Sequence, residues 1–263
     1  MSKSERIYSP LLTIGNNVNS RSGSNGNSSS KARVLFVIYD NGSYIHWFPL
    51  GPGYIAAVLR DAGYEVEVLC QDFHHFPDEF LTEFLDENKF DVVAVGVIAG
   101  YYQYKRLLGI SEAINKSKQR PFYVIGGHGP SPEPEYFLKI TGADVAVSGE
   151  GEYTMVELVD ALVNNRDLKA VKGIAYLEHS FLEGDRLVVT PERELVQDLD
   201  TIPFPAYDLF PMTYYRLLRQ PHCDATDFVI PLISSRGCTF KCTFCYRMDK
   251  GLRNRSTESV VEE

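Results

Sequence analysis

Three of the five cysteines in this 263-residue chain fall within eight residues, in the stretch Ser234-Ser235-Arg236-Gly237-Cys238-Thr239-Phe240-Lys241-Cys242-Thr243-Phe244-Cys245-Tyr246. Their C-x3-C-x2-C spacing lets thiolates from one turn converge on one face of an iron–sulfur cube, leaving the fourth iron without a protein ligand. An open iron takes a small-molecule ligand; a site closed by four protein donors does not. Structural zinc is an alternative reading, but zinc wants four donors, commonly two separated C-x2-C pairs. Here there is one such pair, and His222 or Cys223 would have to complete the set. A disulfide or chance clustering is the third reading. The spacing favours the cluster. The apolar run Phe228 to Ile233, just upstream, reads as a buried strand that empties into the cysteine loop.

The elements that must position such a loop lie mostly upstream. Val34 to Tyr39 and Asp91 to Ile98 are continuous apolar runs, the mark of strands covered on both faces. Tyr64 to Cys70 alternates partly, as an edge or near-edge strand does; Phe122 to Ile125 and Asp144 to Val147 supply two more. Between them, apolar residues keep helical spacing: Ile55, Val58, Leu59 and Ala62; Phe80, Leu81, Phe84 and Leu85; Tyr104, Leu107, Leu108 and Ile114; Met155, Leu158, Val159 and Leu162. Gly63 stands where the first helix should end. Strands alternating with helices predict an α/β fold, a doubly wound, Rossmann- or flavodoxin-like parallel sheet over residues 31–165.

Ligands of such sheets bind outside the carboxyl ends of the strands, where the strand order reverses. Those ends are rich in glycine: Gly126-Gly127-His128-Gly129-Pro130-Ser131-Pro132 after the fourth strand, Ser148-Gly149-Glu150-Gly151-Glu152 after the fifth, and Ala99-Gly100-Tyr101-Tyr102 after the third. Glycines let a large ligand approach the backbone, although sharp turns use them too. Ser131 followed by Pro132 reads as a helix start. No G-x-G-x-x-G follows the first strand, because Gly51-Pro52-Gly53-Tyr54 lies a dozen residues on and lacks a third glycine; there is no Walker A lysine loop either.

The net charge of −9 argues against general nucleic-acid binding, and no apolar run approaches the roughly 20 residues of a membrane span. No secretory leader opens the chain, and free clustered thiols suit a reducing cytoplasm. Gly15 to Ser30 is almost wholly Gly, Asn and Ser, so residues 1–30 are expected to be a disordered extension. Residues 166–225 read as a connector: a β-hairpin from Gly173–Leu177 and Arg186–Thr190, then a proline-punctuated spacer around Asp198 to Tyr207.

The cysteine motif, with Phe244 before its third cysteine and an Arg-Gly lead-in, resembles the signature of radical S-adenosylmethionine (radical SAM) enzymes. The resemblance extends upstream. Gly51-x-Gly53-Tyr54-Ile55-Ala56-Ala57-x-Leu59-Arg60-x-Ala62-Gly63, then Gly126-Gly127-His128, then Gly149-Glu150-Gly151-Glu152, look like the cobalamin-binding domain that precedes many radical SAM barrels. By that likeness Cys238, Cys242 and Cys245 bind a [4Fe-4S] cluster whose fourth iron is chelated by S-adenosylmethionine. Gly126, Gly127, His128, Ser131, Gly149, Glu150 and Gly151 surround the cobalamin. For His128 the alternative is a histidine that satisfies its own turn. Residues 226–263 resemble the first strand, cluster loop and first helix turns of a partial TIM-like barrel. The chain then reads as the N-terminal portion of such an enzyme, inactive by itself.

The family's chemistry is reductive cleavage of S-adenosylmethionine to a 5′-deoxyadenosyl radical, then corrinoid-assisted methyl transfer to an unactivated carbon, or cyclisation or rearrangement. It implies a small-molecule or natural-product substrate and a reductant such as flavodoxin or ferredoxin. The D-x-H-x-x-G motif that places a histidine on cobalt in cobalamin mutases and methionine synthases is approximated only by Asp72-x-His74-x-x-Pro77. No histidine ligand to cobalt is expected, and His74 and His75 read as surface loop residues. Two other readings are a stand-alone corrinoid-binding or sensory module, and a radical SAM methylthiotransferase; the latter carries further cluster cysteines in its N-terminal domain, where this chain has only Cys70.

Overall fold

In the computed structural model, which describes residues 32–42, 48–97, 101–180, 184–217, 223–224, 226–245, 249 and 251–263, the apolar runs of the first half become one sheet. The expectations for residues 1–30, for Ala99 and Gly100, and for His222 and Tyr246 lie outside the described residues. Five strands are parallel: β1 (Arg33–Ile38), β2 (Glu65–Cys70), β3 (Val92–Gly96), β4 (Phe122–Gly126) and β5 (Val145–Val147). Two more extend the sheet: β6 (Ile174–Ser180), antiparallel to β5, and β7 (Gly184–Val189), antiparallel to β6. The order is β2-β1-β3-β4-β5-β6-β7, so the direction of winding reverses between β1 and β3. The hairpin read as part of a connector is therefore the sheet's far edge.

Period-2 alternation along each strand sorts the core into two layers. Val34, Phe36, Val92, Ala94, Val124, Val145 and Val147 face one side, where helices α1 (Leu50–Asp61) and α6 (Glu152–Val163) cover them. Leu35, Val37, Val93, Val95, Tyr123, Ile125 and Ala146 face the other. There they meet α3 (Asp78–Glu87), α4 (Tyr101–Lys116) and α5 (Pro134–Thr141); a single turn, α2 (Gln71–His74), leads into α3. Tyr123 is fully buried, and its hydroxyl is satisfied by Ser111 at 2.8 Å.

Local signals explain several boundaries. Gly63, at φ +92°, follows α1, with its N–H donating to Arg60 O and the N–H of Tyr64 to Leu59 O. This is a Schellman closure, which a left-handed glycine makes without steric cost. Pro134 opens α5, two residues later than Ser131-Pro132 suggested. Ser131 does not cap that helix; its hydroxyl donates instead to Gly127 O at 2.9 Å, fixing the preceding turn.

The proline-punctuated segment packs rather than floats. The N–H of Ala206 donates to Gly53 O at 3.0 Å, and a Cβ on Gly53 would stand 3.0 Å from Pro205, so a larger residue would have to push the linker back by a few tenths of an ångström. Arg60 grips Asp208 with contacts of 2.7 and 2.8 Å. Phe48, Phe210 and Tyr215, the last on α7 (Met212–Leu217), form an aromatic cluster at the foot of the segment.

Phe228 to Ile233 is not the buried strand expected. It is irregular; Phe228 is 65% and Leu232 45% exposed. A strand needs a neighbour for its backbone donors and acceptors, and among the described residues none pairs with it. Ile233 packs against Tyr54, Val58, Leu199 and Ile202, and the Phe228 ring lies under the Arg216 guanidinium at 4.9 Å. The strand preceding the cysteines is instead β8 (Ser235–Cys238), paired antiparallel with β9 (Gly251–Asn254); Ser256 then caps α8 (Thr257–Glu262) by accepting the Ser259 N–H at 3.1 Å. No helix of the described residues is long and apolar enough to cross a membrane.

Candidate functional site

A cleft of about 290 Å³ opens at the carboxyl ends of β1, β3, β4 and β5, at the reversal point. Its floor is apolar: Phe36, Ala94, Val124 and Val147. Gly126, Gly127 and His128 form one wall, and Gly149, Glu150, Gly151 and Glu152 another; the first two turns of α1 contribute Gly51, Pro52 and Ile55. Six of the seven cofactor residues inferred from the sequence therefore stand around one space. Ser131 does not; it holds the Gly127 turn from behind.

The glycines differ in what they do. Gly127 sits at φ +103°, where a Cβ would lie 2.6 Å from Val97 O, so it is required by the fold. A Cβ on Gly51 would meet no protein atom within 4 Å; one on Gly149 would meet none either, although its φ of +75° by itself favours glycine. Bare backbone facing open space at a cleft rim admits a flat, bulky ligand where any side chain would intrude. That cradle fits a corrinoid. His128 is exposed at the rim, and the histidines considered for cobalt lie elsewhere: His74 stacks on Phe76, and His75 Nδ1 meets Asp40 at 2.9 Å.

The roof of the cleft comes from the other end of the chain. Ile233, Arg236 and Asp249 line it, and all three belong to or flank the β8–β9 hairpin that carries Cys238. Buried charges fix this roof. Arg236 donates to Glu150 Oε1 at 3.1 Å and Glu152 Oε1 at 2.6 Å, and Arg253 on β9 reaches Glu150 Oε1 at 2.9 Å and Asp249 Oδ2 at 3.0 Å. Their side chains are between 6 and 14% exposed. The other Glu150 oxygen accepts the Val196 N–H at 2.8 Å, and Arg253 donates to Val196 O at 2.6 Å. Burial disfavours the Arg236 charge, but Glu152 and Glu150 outweigh it and hold the guanidinium protonated. Two guanidiniums face three carboxylates; burial first, then the Glu150 charge, pushes the Asp249 carboxyl above its usual range. Its Oδ1 is buried and has no partner among the described residues.

A second cluster pins the segment after the hairpin. Arg255 donates to Ile233 O at 3.0 Å and the Tyr54 hydroxyl at 3.3 Å, and pairs with Glu263, which also accepts from the Tyr207 hydroxyl. Burial, then the Glu263 charge, raises the Tyr54 phenol to about 12.

Cys238 ends β8 and is partly exposed; Cys242 and Cys245 are exposed on the turn beyond it, and none of the three is in a disulfide. Their type, number and placement on one turn suit a cluster with an open iron. Among the described residues no three Cys, His, Asp or Glu side chains already stand together as a metal site, so the thiols are presented rather than converged. Cys223 is exposed and free, and Cys70 is buried beside the Tyr215 hydroxyl at 3.2 Å.

Comparison with known proteins agrees with this geometry. The B12 binding domain family matches residues 42–159, a span that runs from the end of β1 into α6 and contains both glycine walls. An uncharacterized methyltransferase of Pyrococcus horikoshii is 33% identical over 222 residues, 82% of this chain and 44% of that protein. Residues 42–159 carry a B12-binding domain. An anaerobic magnesium-protoporphyrin IX monomethyl ester cyclase of Rubrivivax gelatinosus is 29% identical over 247 residues, 88% of this chain and 42% of the cyclase. The cobalamin-dependent S-adenosylmethionine radical enzyme OxsB, solved with aqua-cobalamin and S-adenosylmethionine bound, shares the fold at a TM-score of 0.71 and 22% identity, over 89% of this chain and 31% of OxsB. The chain thus spans less than half the length of the curated relatives it matches.

Arg236, Arg253 and Asp249 are site residues that sequence reasoning missed. Arg236 was legible only as a lead-in to the cysteines. The available signal was the pair of glutamates in Gly149-Glu150-Gly151-Glu152, since a turn needs glycines but has no use for two carboxylates.

Proposed function

We propose that this chain binds cobalamin at the β1–β5 carboxyl edge and a [4Fe-4S] cluster at Cys238, Cys242 and Cys245, as part of a B12-dependent radical SAM enzyme that methylates an unactivated carbon of a small-molecule substrate. The observation that supports the reading is the glycine-walled cleft whose roof is the cysteine hairpin itself, because a corrinoid there would lie beside a cluster on that hairpin. When bound, the cluster, S-adenosylmethionine and corrinoid supply the radical and methyl-transfer chemistry.

The chain's own part is positional. Phe36, Ala94, Val124 and Val147 offer an apolar floor, Gly51 and Gly149 leave room at the rim, and Gly126 and Gly127 bring backbone close to the ligand. Glu150 is committed to Arg236 and Arg253, so its role is to hold the roof rather than to reach the corrinoid. Methyl transfer is preferred over cyclisation because the relative at 33% identity bears a methyltransferase name. A flavodoxin or ferredoxin reductant and a natural-product substrate complete the reading.

Anaerobic reconstitution with iron and sulfide, followed by metal analysis and methylcobalamin binding, tests it. Wild type should take up iron and one corrinoid. Cys238→Ala should lose the iron and keep the corrinoid, and Cys223→Ala should lose neither. Zinc in place of iron, with Cys223 essential for retaining it, would contradict the proposal.

A further inference from the structure

The cleft is not complete in the B12-binding domain alone. Its floor and walls come from β1, β3, β4, β5 and the starts of α1 and α6, whereas Ile233, Arg236 and Asp249 come from the hairpin that presents the cysteines. A ligand that fills the cleft touches both parts and so binds the hairpin-docked state better than any state in which the hairpin has lifted. A ligand shifts a conformational equilibrium only through such differential contacts, and the effect is reciprocal.

The charges give docking its two-state character. Glu150 Oε1 is shared by Arg236 from β8 and Arg253 from β9, at 3.1 and 2.9 Å, and Glu152 takes the other end of Arg236 at 2.6 Å. Lifting the hairpin would break all three contacts together. The docked network is also one positive charge short, since two guanidiniums face three carboxylates.

We propose that the Glu150–Arg236–Arg253 network couples corrinoid binding to docking of the cysteine hairpin, so that an occupied cleft holds the cluster-binding turn in place and an empty one lets it open. Arg236 and Arg253 are then positioning residues for the cysteines. This rests on the corrinoid reading above and adds a regulatory link to it: cluster assembly is favoured on chains that already hold corrinoid.

Hydrogen exchange of the β8 and β9 amides, with and without methylcobalamin, measures the coupling. If opening of the hairpin excludes the ligand, methylcobalamin at a hundred times its dissociation constant slows hairpin exchange by about a hundredfold in wild type. Arg253 does not line the cleft, so Arg253→Gln leaves the ligand's contacts intact. It should speed hairpin exchange of the ligand-free protein by about a hundredfold or more, while exchange in β1 and β3 stays slow and reports an intact fold. Wild-type binding with unchanged hairpin exchange would overturn the coupling and leave the corrinoid site standing. Equal hairpin exchange in ligand-free Arg253→Gln and ligand-free wild type would overturn the part assigned to the charges. A wild-type chain that binds no methylcobalamin would remove the corrinoid reading and this inference together.

Discussion

Glu150 carries more of this site than any other side chain. It lies in a glycine-rich turn at the cleft wall, yet its oxygens are taken by Arg236, Arg253 and the Val196 N–H. A buried carboxylate stripped of its partners, or guanidiniums stripped of theirs, costs far more than a surface pair of the same geometry. Glu150→Ala should therefore lower unfolding free energy in urea by about 3 kcal/mol. Glu150→Gln keeps an acceptor for Val196 and should cost less. If both changes fall within about 0.5 kcal/mol of wild type, as ordinary surface substitutions do, the network is not what holds the hairpin down.

Helix α1 shows how an element's ends can be read and what its middle hides. Its Schellman closure at Gly63 depends on a left-handed backbone, so Gly63→Ala should cost more than about 1 kcal/mol without touching the cleft, measurable as a lowered urea midpoint. That glycine was legible in the sequence because a helix-spaced apolar stripe stops beside it. The strands were legible for the same kind of reason: a buried parallel strand has no polar face, so Val34 to Tyr39 and Val92 to Val95 announce themselves. Gly53 was different. It reads as one glycine of a ligand loop, but its open side receives Pro205 of the linker, a contact across 152 positions that no local pattern encodes. The run Phe228 to Ile233 failed in the opposite sense. Its apolar content says strand, but a strand is defined by its neighbours, and among the described residues it has none.

At the scale of the whole molecule, the arrangement is a flavodoxin-like sheet whose ligand edge is roofed by a hairpin from near the end of the chain. The position of the cleft followed from topology alone, since a reversal between β1 and β3 makes a crevice there whatever the side chains. The composition of its roof did not follow, because the Glu150–Arg236 contact joins residues 86 apart in sequence. The central claim is that a corrinoid occupies this cleft, and Gly51 offers the most direct test. It lies in the first turn of α1, lines the cleft, and would carry a side chain into space holding no protein atom within 4 Å. A bulky residue there should fold normally and collide only with a ligand. Equilibrium dialysis of methylcobalamin against wild type and Gly51→Phe should show stoichiometric binding to the first and affinity lower by about tenfold or more, some 1.4 kcal/mol, in the second. Equal affinity in the two proteins, with both folded, would place the corrinoid somewhere other than this cleft.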